Sequence, residues 1–197
     1  MTADVLAVIE AEDRPSLDGS TTTSSLATRD IMLIDGNDTR GIDTGIMTTT
    51  AVEIIVMRRN VDEPDHATGD ELFCRDCAEY NSRLPSGVTV WVLLNHFKSQ
   101  IRWWGTETGS PGSKGPRHRR RTHRWGEHNI VVIGDLNEGP AVEGQPAANL
   151  TPLFEPNSPL VDLYSLPSFD PGASGQDVSA DEVCWMRVTN SSLTTST

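Results

Sequence analysis

The sequence has few cysteines, no long apolar run and no leader-like start, and each absence excludes a class of protein. Its three cysteines do not make up the even set of a disulfide framework. Cys74 and Cys77 are spaced as C-x-x-C, but no second pair follows, so a zinc site is not expected. No stretch approaches the roughly 18 apolar residues of a membrane-spanning helix. The first residues are acidic and no basic segment precedes an apolar one, so no signal peptide is expected and the default compartment is the cytoplasm.

The charge of the chain is acidic overall and unevenly distributed. The 197 residues carry a formal net charge of -12, and hydrophobic residues make up 36%, which is below the usual content of globular domains. Of the 16 Lys and Arg residues, eight lie between Lys98 and Arg124. Because the rest of the chain is strongly acidic, we do not expect a protein that coats nucleic acid in general.

The basic window lies in a stretch without apolar periodicity, Gln100–Glu127. It contains Trp103, Trp104 and Trp125 and the basic cluster Arg117–Arg121. One interpretation is a nucleic-acid or phosphate patch in which aromatic and basic side chains alternate. The other, which is favoured, is an irregular solvated insert, because basic runs are usually solvated loops or tails.

Three apolar segments predict the strands around which the fold is built. They are Ala3–Ile9, Val88–Leu94 and the start of His128–Pro140, in which four apolar residues in a row are typical of a strand buried on both faces. The remaining pattern predicts a weak helix over 14–26 with a loop at its end, an antiparallel meander over 31–57, a strand over 72–80, short apolar pieces within 150–164 and a last strand over 183–188.

Each of the three apolar segments ends on residues with useful chemistry. Glu10 follows the first, Asn95 and His96 the second, and Asp135 and Asn137 the third. Alternation in an extended chain places Asp135 and Asn137 on one side. If the strands are neighbours, these groups converge at one rim.

A rim of this kind suits phosphoryl chemistry. A carboxylate there suits Mg²⁺, an aspartate could orient or deprotonate water, and a histidine could donate to a phosphate oxygen or protonate a leaving group. Taken singly, each group has a simpler explanation: Asp135 and Asn137 as an Asx turn, Glu10 as a solvated strand end and His96 as an edge histidine. The coincidence of three such clusters at strand ends favours a functional site.

Five ordered motifs carry a resemblance to a known family. They are DVLAVIEAE, MLIDGNDTRGIDTGIM, LFCRDCAEY, LLNHFKS and IVVIGDLNEGP. The chain resembles the endonuclease/exonuclease/phosphatase superfamily, which includes DNase I-like nucleases, base-excision endonucleases, sphingomyelinases and inositol-polyphosphate phosphatases. The motifs are those of a bacterial branch and extend over Asp4–Asp170, apart from Arg102–Glu127.

The resemblance implies a fold, a cofactor and site residues. The fold would be an α+β, four-layer α/β sandwich of two packed mixed β-sheets flanked by helices, incomplete at both ends. Glu10 would bind the metal, Mg²⁺ or Mn²⁺, while His96 would contact phosphate and Asp135 and Asn137 would form the catalytic pair. The partner would be a phosphoester substrate, with DNA or RNA among the options. Candidate substrate-binding or supporting residues at the rim are Asn95, Arg40, Asp43 and Lys98.

The chain also departs from the family pattern. It starts after the family's first strand, which bears an asparagine, and nothing after Asp170 matches the closing strand with its Asp-His pair. The histidines are His66, His96, His118, His123 and His128. A family helix between Lys98 and Ile130 is replaced by the basic insert, and two abrupt losses of pattern of this kind suggest shifts of reading frame. We therefore expect a domain over 1–170, with an irregular insert at 101–127, and a poorly ordered tail over 171–197.

Three functions remain open on the sequence. The first is a divalent-metal-dependent phosphodiesterase or nuclease. The second is an inactive relative that binds metal or phosphate, which the missing Asp-His pair favours. The third is a nucleic-acid-binding module that uses Arg117–Arg124. The substrate is not specified, because in such folds the loops decide it.

Overall fold

The fold consists of two β-sheets and one helix in the part of the chain that the structure describes. This computed structural model describes residues 3–23, 28–64, 69, 72–73, 75–97, 128–137, 160–162 and 185–187. The elements in chain order are β1 (Val5–Ala11), α1 (Arg14–Thr23), β2 (Thr28–Ile34), β3 (Asp43–Thr49), β4 (Glu53–Arg58), β5 (Cys77–Arg83), β6 (Thr89–His96), β7 (Asn129–Asp135), β8 (Val161–Asp162) and β9 (Trp185–Arg187).

The first sheet is antiparallel, has the strand order β1-β3-β2 and carries α1 on its outer face. The helix begins after Asp13, whose Oδ1 accepts a hydrogen bond from the Ser16 N–H at 2.7 Å, as in an N-cap. Leu17 is buried with Ala11 and Met47 on the outer side of this sheet. The weak helix that the sequence predicts is therefore present, and its apolar contact with the sheet holds it.

The second sheet has six strands in the order β4-β5-β6-β7-β9-β8. β6 and β7 are parallel, and the other described pairs are antiparallel, so this sheet is mixed. The predicted meander over 31–57 is wrong at its last step, because β4 leaves the first sheet and pairs with β5. Alternating apolar residues predict a strand but do not specify its partner.

The two sheets pack face to face, as expected for a sandwich. Alternate residues of β1, β2 and β3 meet alternate residues of β4 to β7 in one apolar cluster, which consists of Val5, Ala7, Ile9, Met32, Ile34, Ile46, Ile54, Ala78, Tyr80, Val92, Leu94 and Ile133. Of the expected flanking helices, only α1 is present among the described residues. This helix is neither long nor apolar enough to cross a membrane.

The outer face of the second sheet carries another apolar cluster. Leu72 and Phe73 lie there with Leu93, Phe97 and Ile130. Leu72 and Phe73 precede β5 in the chain. The strand predicted over 72–80 therefore begins later than expected, at Cys77. The irregular insert predicted at 101–127 lies outside the described residues, and so does the tail predicted at 171–197 apart from Trp185–Arg187. Trp185–Arg187 forms β9 and pairs with β7, in agreement with the strand predicted over 183–188.

Candidate active site

The candidate site lies where the parallel strands β6 and β7 end. In the register of these strands, His96 pairs with Asp135. Val92 and Leu94 point into the sandwich, so His96 continues the same inward row and is 4% exposed. Ligands of α/β sheets are usually bound at the carboxyl ends of parallel strands, and this edge therefore suits a functional site.

Glu10 reaches this edge from the other sheet through a β-bulge. The register of β1 against β3 shifts between Val8 and Ala11, and Glu10 has a φ of 56°. A non-glycine residue in the left-handed region is strained, and such residues are concentrated at functional sites. The bulge redirects the side chain, as bulges do beside active sites. Glu10 Oε1 consequently lies 3.9 Å from His96 Nε2.

Asp135 and Asn137 form a turn that is bonded to the end of β6. The Asn137 N–H donates to Asp135 Oδ1 at 2.7 Å, and Asn137 Nδ2 donates to the carbonyl oxygen of Phe97 at 2.7 Å. The Phe97 N–H in turn donates to the Asp135 carbonyl oxygen at 2.8 Å. Asn137 has a φ of 50°, a conformation that asparagine tolerates better than most residues. These bonds hold both side chains of the predicted catalytic pair.

Gly134 is required where β7 meets β6. Its φ is 126°, and a Cβ atom there would lie 1.8 Å from the carbonyl oxygen of Asn95. Any side chain at this position would push the two strands apart immediately before Asp135. The glycine of the GDLN motif is thus explained by packing.

His96 is held in its neutral form by its surroundings. Burial lowers its pKa to about 4, and the positive charges of Arg75 and Arg40 act in the same direction. Its Nδ1 is buried without a hydrogen-bond partner among the described residues. Its Nε2 faces both Glu10 and Asp135, the latter at 3.7 Å through Oδ2. Both distances are longer than a hydrogen bond.

The other predicted site residues are distributed differently. Asn95 is fully buried on the opposite face of β6 from His96, and its Nδ2 donates to the Leu93 carbonyl oxygen at 3.0 Å, so it does not reach the rim. The reason is the strand period of two, which separates adjacent residues. Asp43 is buried and accepts the Gly36 N–H at 2.7 Å, which supports the loop between β2 and β3.

The two basic residues predicted to bind substrate are Arg40 and Lys98. Arg40 is half exposed, and its guanidinium binds Asp38 with distances of 3.1 and 2.8 Å. After burial and the charge of Arg75, the positive charge of Arg40 is a further contribution to the lowered pKa of His96. Lys98 lies outside the described residues.

Sequence reasoning missed Arg75 and Asp38, which form a buried ion pair beside the site. Arg75 Nε lies 2.7 Å from Asp38 Oδ2, and the two side chains are 5% and 7% exposed. The available signal was that both residues lie inside family-like motifs, Arg75 in LFCRDCAEY and Asp38 in MLIDGNDTRGIDTGIM. Neither motif says by itself that an arginine becomes buried.

The rim presents carboxylate oxygens, which are the type of ligand that a hard divalent cation prefers. Glu10 and Asp135 present carboxylates toward the same imidazole nitrogen from two different sheets. The described residues contain no group of three or more His, Cys, Asp or Glu side chains arranged to hold a metal ion. Mg²⁺ does not need one, because it keeps several waters and binds through one or two carboxylates together with substrate oxygens.

Comparison with known proteins shows the fold of the chain. No protein-family model matches it, and no curated protein does. Among solved structures, the human Nocturnin catalytic domain with bound sulfate is similar with a TM-score of 0.63 and 12% identity, over 93% of this chain and 69% of that one. A mannosyl-6-phosphatase from Bacteroides thetaiotaomicron is similar with a TM-score of 0.59 and 13% identity, over 93% and 71%.

A third similar structure is that of D. rerio TDP2 complexed with a single-strand DNA product. Its TM-score is 0.57 and its identity 12%, over 95% of this chain and 72% of that one. A structure of an endonuclease/exonuclease/phosphatase family protein from Bacteroides thetaiotaomicron is also similar, with a TM-score of 0.55 and 13% identity over 82% of this chain and 57% of that one. The fold expected from the sequence motifs is therefore confirmed, because the chain shares the fold of these structures. Identities this low show the fold and do not extend to activity.

Proposed function

We propose that this protein is a divalent-metal-dependent phosphoester hydrolase of the phosphodiesterase or nuclease type. The observation that carries the proposal is the convergence of two carboxylates, Glu10 and Asp135, on His96 Nε2, with Asn137 bonded beside them. The similar structures include a phosphatase and a protein complexed with a DNA product, which supports a phosphoester substrate.

The cation, Mg²⁺ or Mn²⁺, would be held by Glu10 with water and substrate oxygens completing its shell. When bound, it would polarise a phosphoryl oxygen. Glu10 suits this role because its side chain is 59% exposed and can exchange protein contacts for a metal.

The remaining residues have distinct tasks in the proposed site. Asp135 orients the attacking water and accepts its proton, since its carboxylate lies at the rim beside His96. Asn137 is locked by its bond to the Phe97 carbonyl oxygen, which leaves its side-chain oxygen for contact with substrate. His96, whose pKa is lowered to about 4, is neutral near pH 7, so it donates a hydrogen bond to a phosphate oxygen rather than delivering a proton.

The test is Mg²⁺-dependent hydrolysis of bis(p-nitrophenyl) phosphate and of plasmid DNA. We expect Asp135→Ala and Glu10→Gln to abolish the activity, with Glu10→Gln also removing Mn²⁺ binding in a paramagnetic titration. Glu12→Gln is the matched control, because Glu12 is an exposed carboxylate two residues from Glu10. Activity that survives Asp135→Ala would contradict this site.

A second function, binding of metal or phosphate without turnover, is favoured by one observation. The described neighbour of β7 on the side away from β6 is β9, and no histidine follows His128 in the chain. The described residues of β9, Trp185–Arg187, therefore do not supply the histidine that the family resemblance implies at a closing strand. Under this alternative Mn²⁺ binds and is lost in Glu10→Gln, but no substrate is hydrolysed.

A further inference from the structure

Arg75 is a buried cation that lies one contact away from the candidate site. Its Nε donates to Asp38 Oδ2 at 2.7 Å. Its Nη1 donates to the Phe97 carbonyl oxygen at 2.8 Å and, at a longer 3.4 Å, to that of His96. A buried guanidinium is stable only when a negative charge pairs with it and acceptors bind its N–H donors. These contacts therefore fix the geometry of the Arg75 side chain.

The Phe97 carbonyl oxygen accepts hydrogen bonds from both Arg75 and Asn137. It accepts one hydrogen bond from Arg75 Nη1 and a second, at 2.7 Å, from Asn137 Nδ2. The same peptide segment binds Asp135 through the Phe97 N–H. Because both side chains converge on one oxygen, a displacement of Arg75 moves the acceptor that holds Asn137.

Asp38 anchors Arg75 from the other sheet. Asp38 lies in the loop between β2 and β3 of the first sheet, whereas Arg75 precedes β5 of the second. The hydrogen bonds from Arg40 and Arg75 hold the pKa of Asp38 well below its usual range, so the carboxylate is charged. The loop also packs tightly, because a Cβ atom at Gly36 would lie 2.7 Å from the Cα of Arg75.

We infer that Arg75, anchored by Asp38, is a positioning residue that sets the distance between the two sheets at the rim and fixes Asn137 and His96 through the backbone at Phe97. The inference rests on the proposed function for its effect on turnover. Arg75 does not touch the reacting atoms in this assignment; it acts through the oxygen that Asn137 binds.

The decisive variant is Arg75→Lys. Lysine keeps the charge, but a single ammonium cannot replace a planar fork that reaches Asp38 and Phe97 at once. We expect kcat for bis(p-nitrophenyl) phosphate to fall by about 10- to 100-fold, as for other losses of supporting contacts. KM should stay within about two-fold, because no substrate contact is removed.

Arg83→Lys is the matched control at the other end of β5. Arg83 forms an exposed ion pair with Glu53 at 2.7 Å, with side chains 50% and 43% exposed. The same substitution there should leave kcat unchanged. A comparable fall in both variants would show a general effect on β5 and overturn the inference.

The side-chain amide of Asn137 provides a readout that is independent of activity. Its ¹H–¹⁵N signals, assigned with Asn137→Asp, should shift and exchange faster with solvent in Arg75→Lys, while signals at the far end of the sandwich stay in place.

Should Arg75→Lys fail to fold, Asp38→Asn takes its place with the same expectation. A folded variant with unchanged kcat and an unchanged Asn137 amide overturns the inference. A wild-type protein without hydrolase activity contradicts the proposed function instead, and the amide signals then decide by themselves whether Arg75 holds Asn137.

Discussion

His96 and Asp135 are direct partners across the parallel strands β6 and β7, and His96 Nε2 lies 3.7 Å from Asp135 Oδ2. Neighbouring parallel strands end at the same edge, so this proximity follows from register alone. Glu10 joins the pair from a different sheet, 3.9 Å from the same nitrogen. The site therefore combines a contact within one sheet, between His96 and Asp135, with a contact between the two packed sheets, from Glu10 to His96.

Replacing His96 tests its proposed role as a neutral hydrogen-bond donor. We expect His96→Gln to lower kcat/KM by about 100-fold or more, the usual effect of losing a donor aimed at developing charge. His128→Gln is the control, because His128 is exposed and precedes β7 at the end opposite the site. Equal rates for His96→Gln and the wild type would remove His96 from the site.

The stability of the fold should depend on pH through His96. Its pKa is lowered to about 4 in the folded protein, so the unfolded chain, with an ordinary value of 6.5, binds the proton first as pH falls. The free energy of unfolding should thus decrease as pH falls from about 6.5 toward about 4.

The measurement is thermal unfolding in chelator, from about pH 8 to about pH 5, of the wild type and His96→Asn. The difference between the two curves should change over this window and be flat above it. A constant difference would mean that His96 titrates normally in the folded protein.

Gly134→Ala tests the close approach of β7 to β6. The added Cβ would collide with the Asn95 carbonyl oxygen, so we expect a loss of more than about 3 kcal/mol in the free energy of unfolding. Gly87→Ala is the control, because Gly87 also has a positive φ, of 81°, but nothing lies within 4 Å of an added Cβ. It should lose only about 1 to 2 kcal/mol, and similar losses in both variants would contradict the packing argument.

Glu10→Gly should separate stability from function. Glycine adopts the left-handed conformation of residue 10 without strain, so the free energy of unfolding in chelator should rise by about 0.5 to 1 kcal/mol while metal-dependent activity is lost. Glu12→Gly, at an exposed position nearby, should instead lower it by about 0.5 kcal/mol. Equal destabilisation of both variants would show that the bulge at Glu10 is not strained.

Local pattern was sufficient to predict the three main strands and the residues at their ends. Apolar runs identify β1, β6 and β7 within one or two residues of their observed bounds, because strand formation by apolar segments is a local property. The partner of a strand is a non-local property, and for that reason the assignment of β4 to a meander is wrong. The inward or outward direction of Asn95 similarly depends on the face that β6 buries.

The sequence by itself determined the kind of chemistry available, since Glu10, His96, Asp135 and Asn137 follow apolar strands in motifs that resemble one superfamily. The tertiary structure alone decided which of the candidates meet. The packing of the two sheets and the β-bulge in β1 bring Glu10 close to His96. The burial of Asn95 on the opposite face of β6 keeps it away from the rim. The tertiary structure also buried Arg75 against Asp38, since the environment of a charged side chain depends on segments that are distant in the chain.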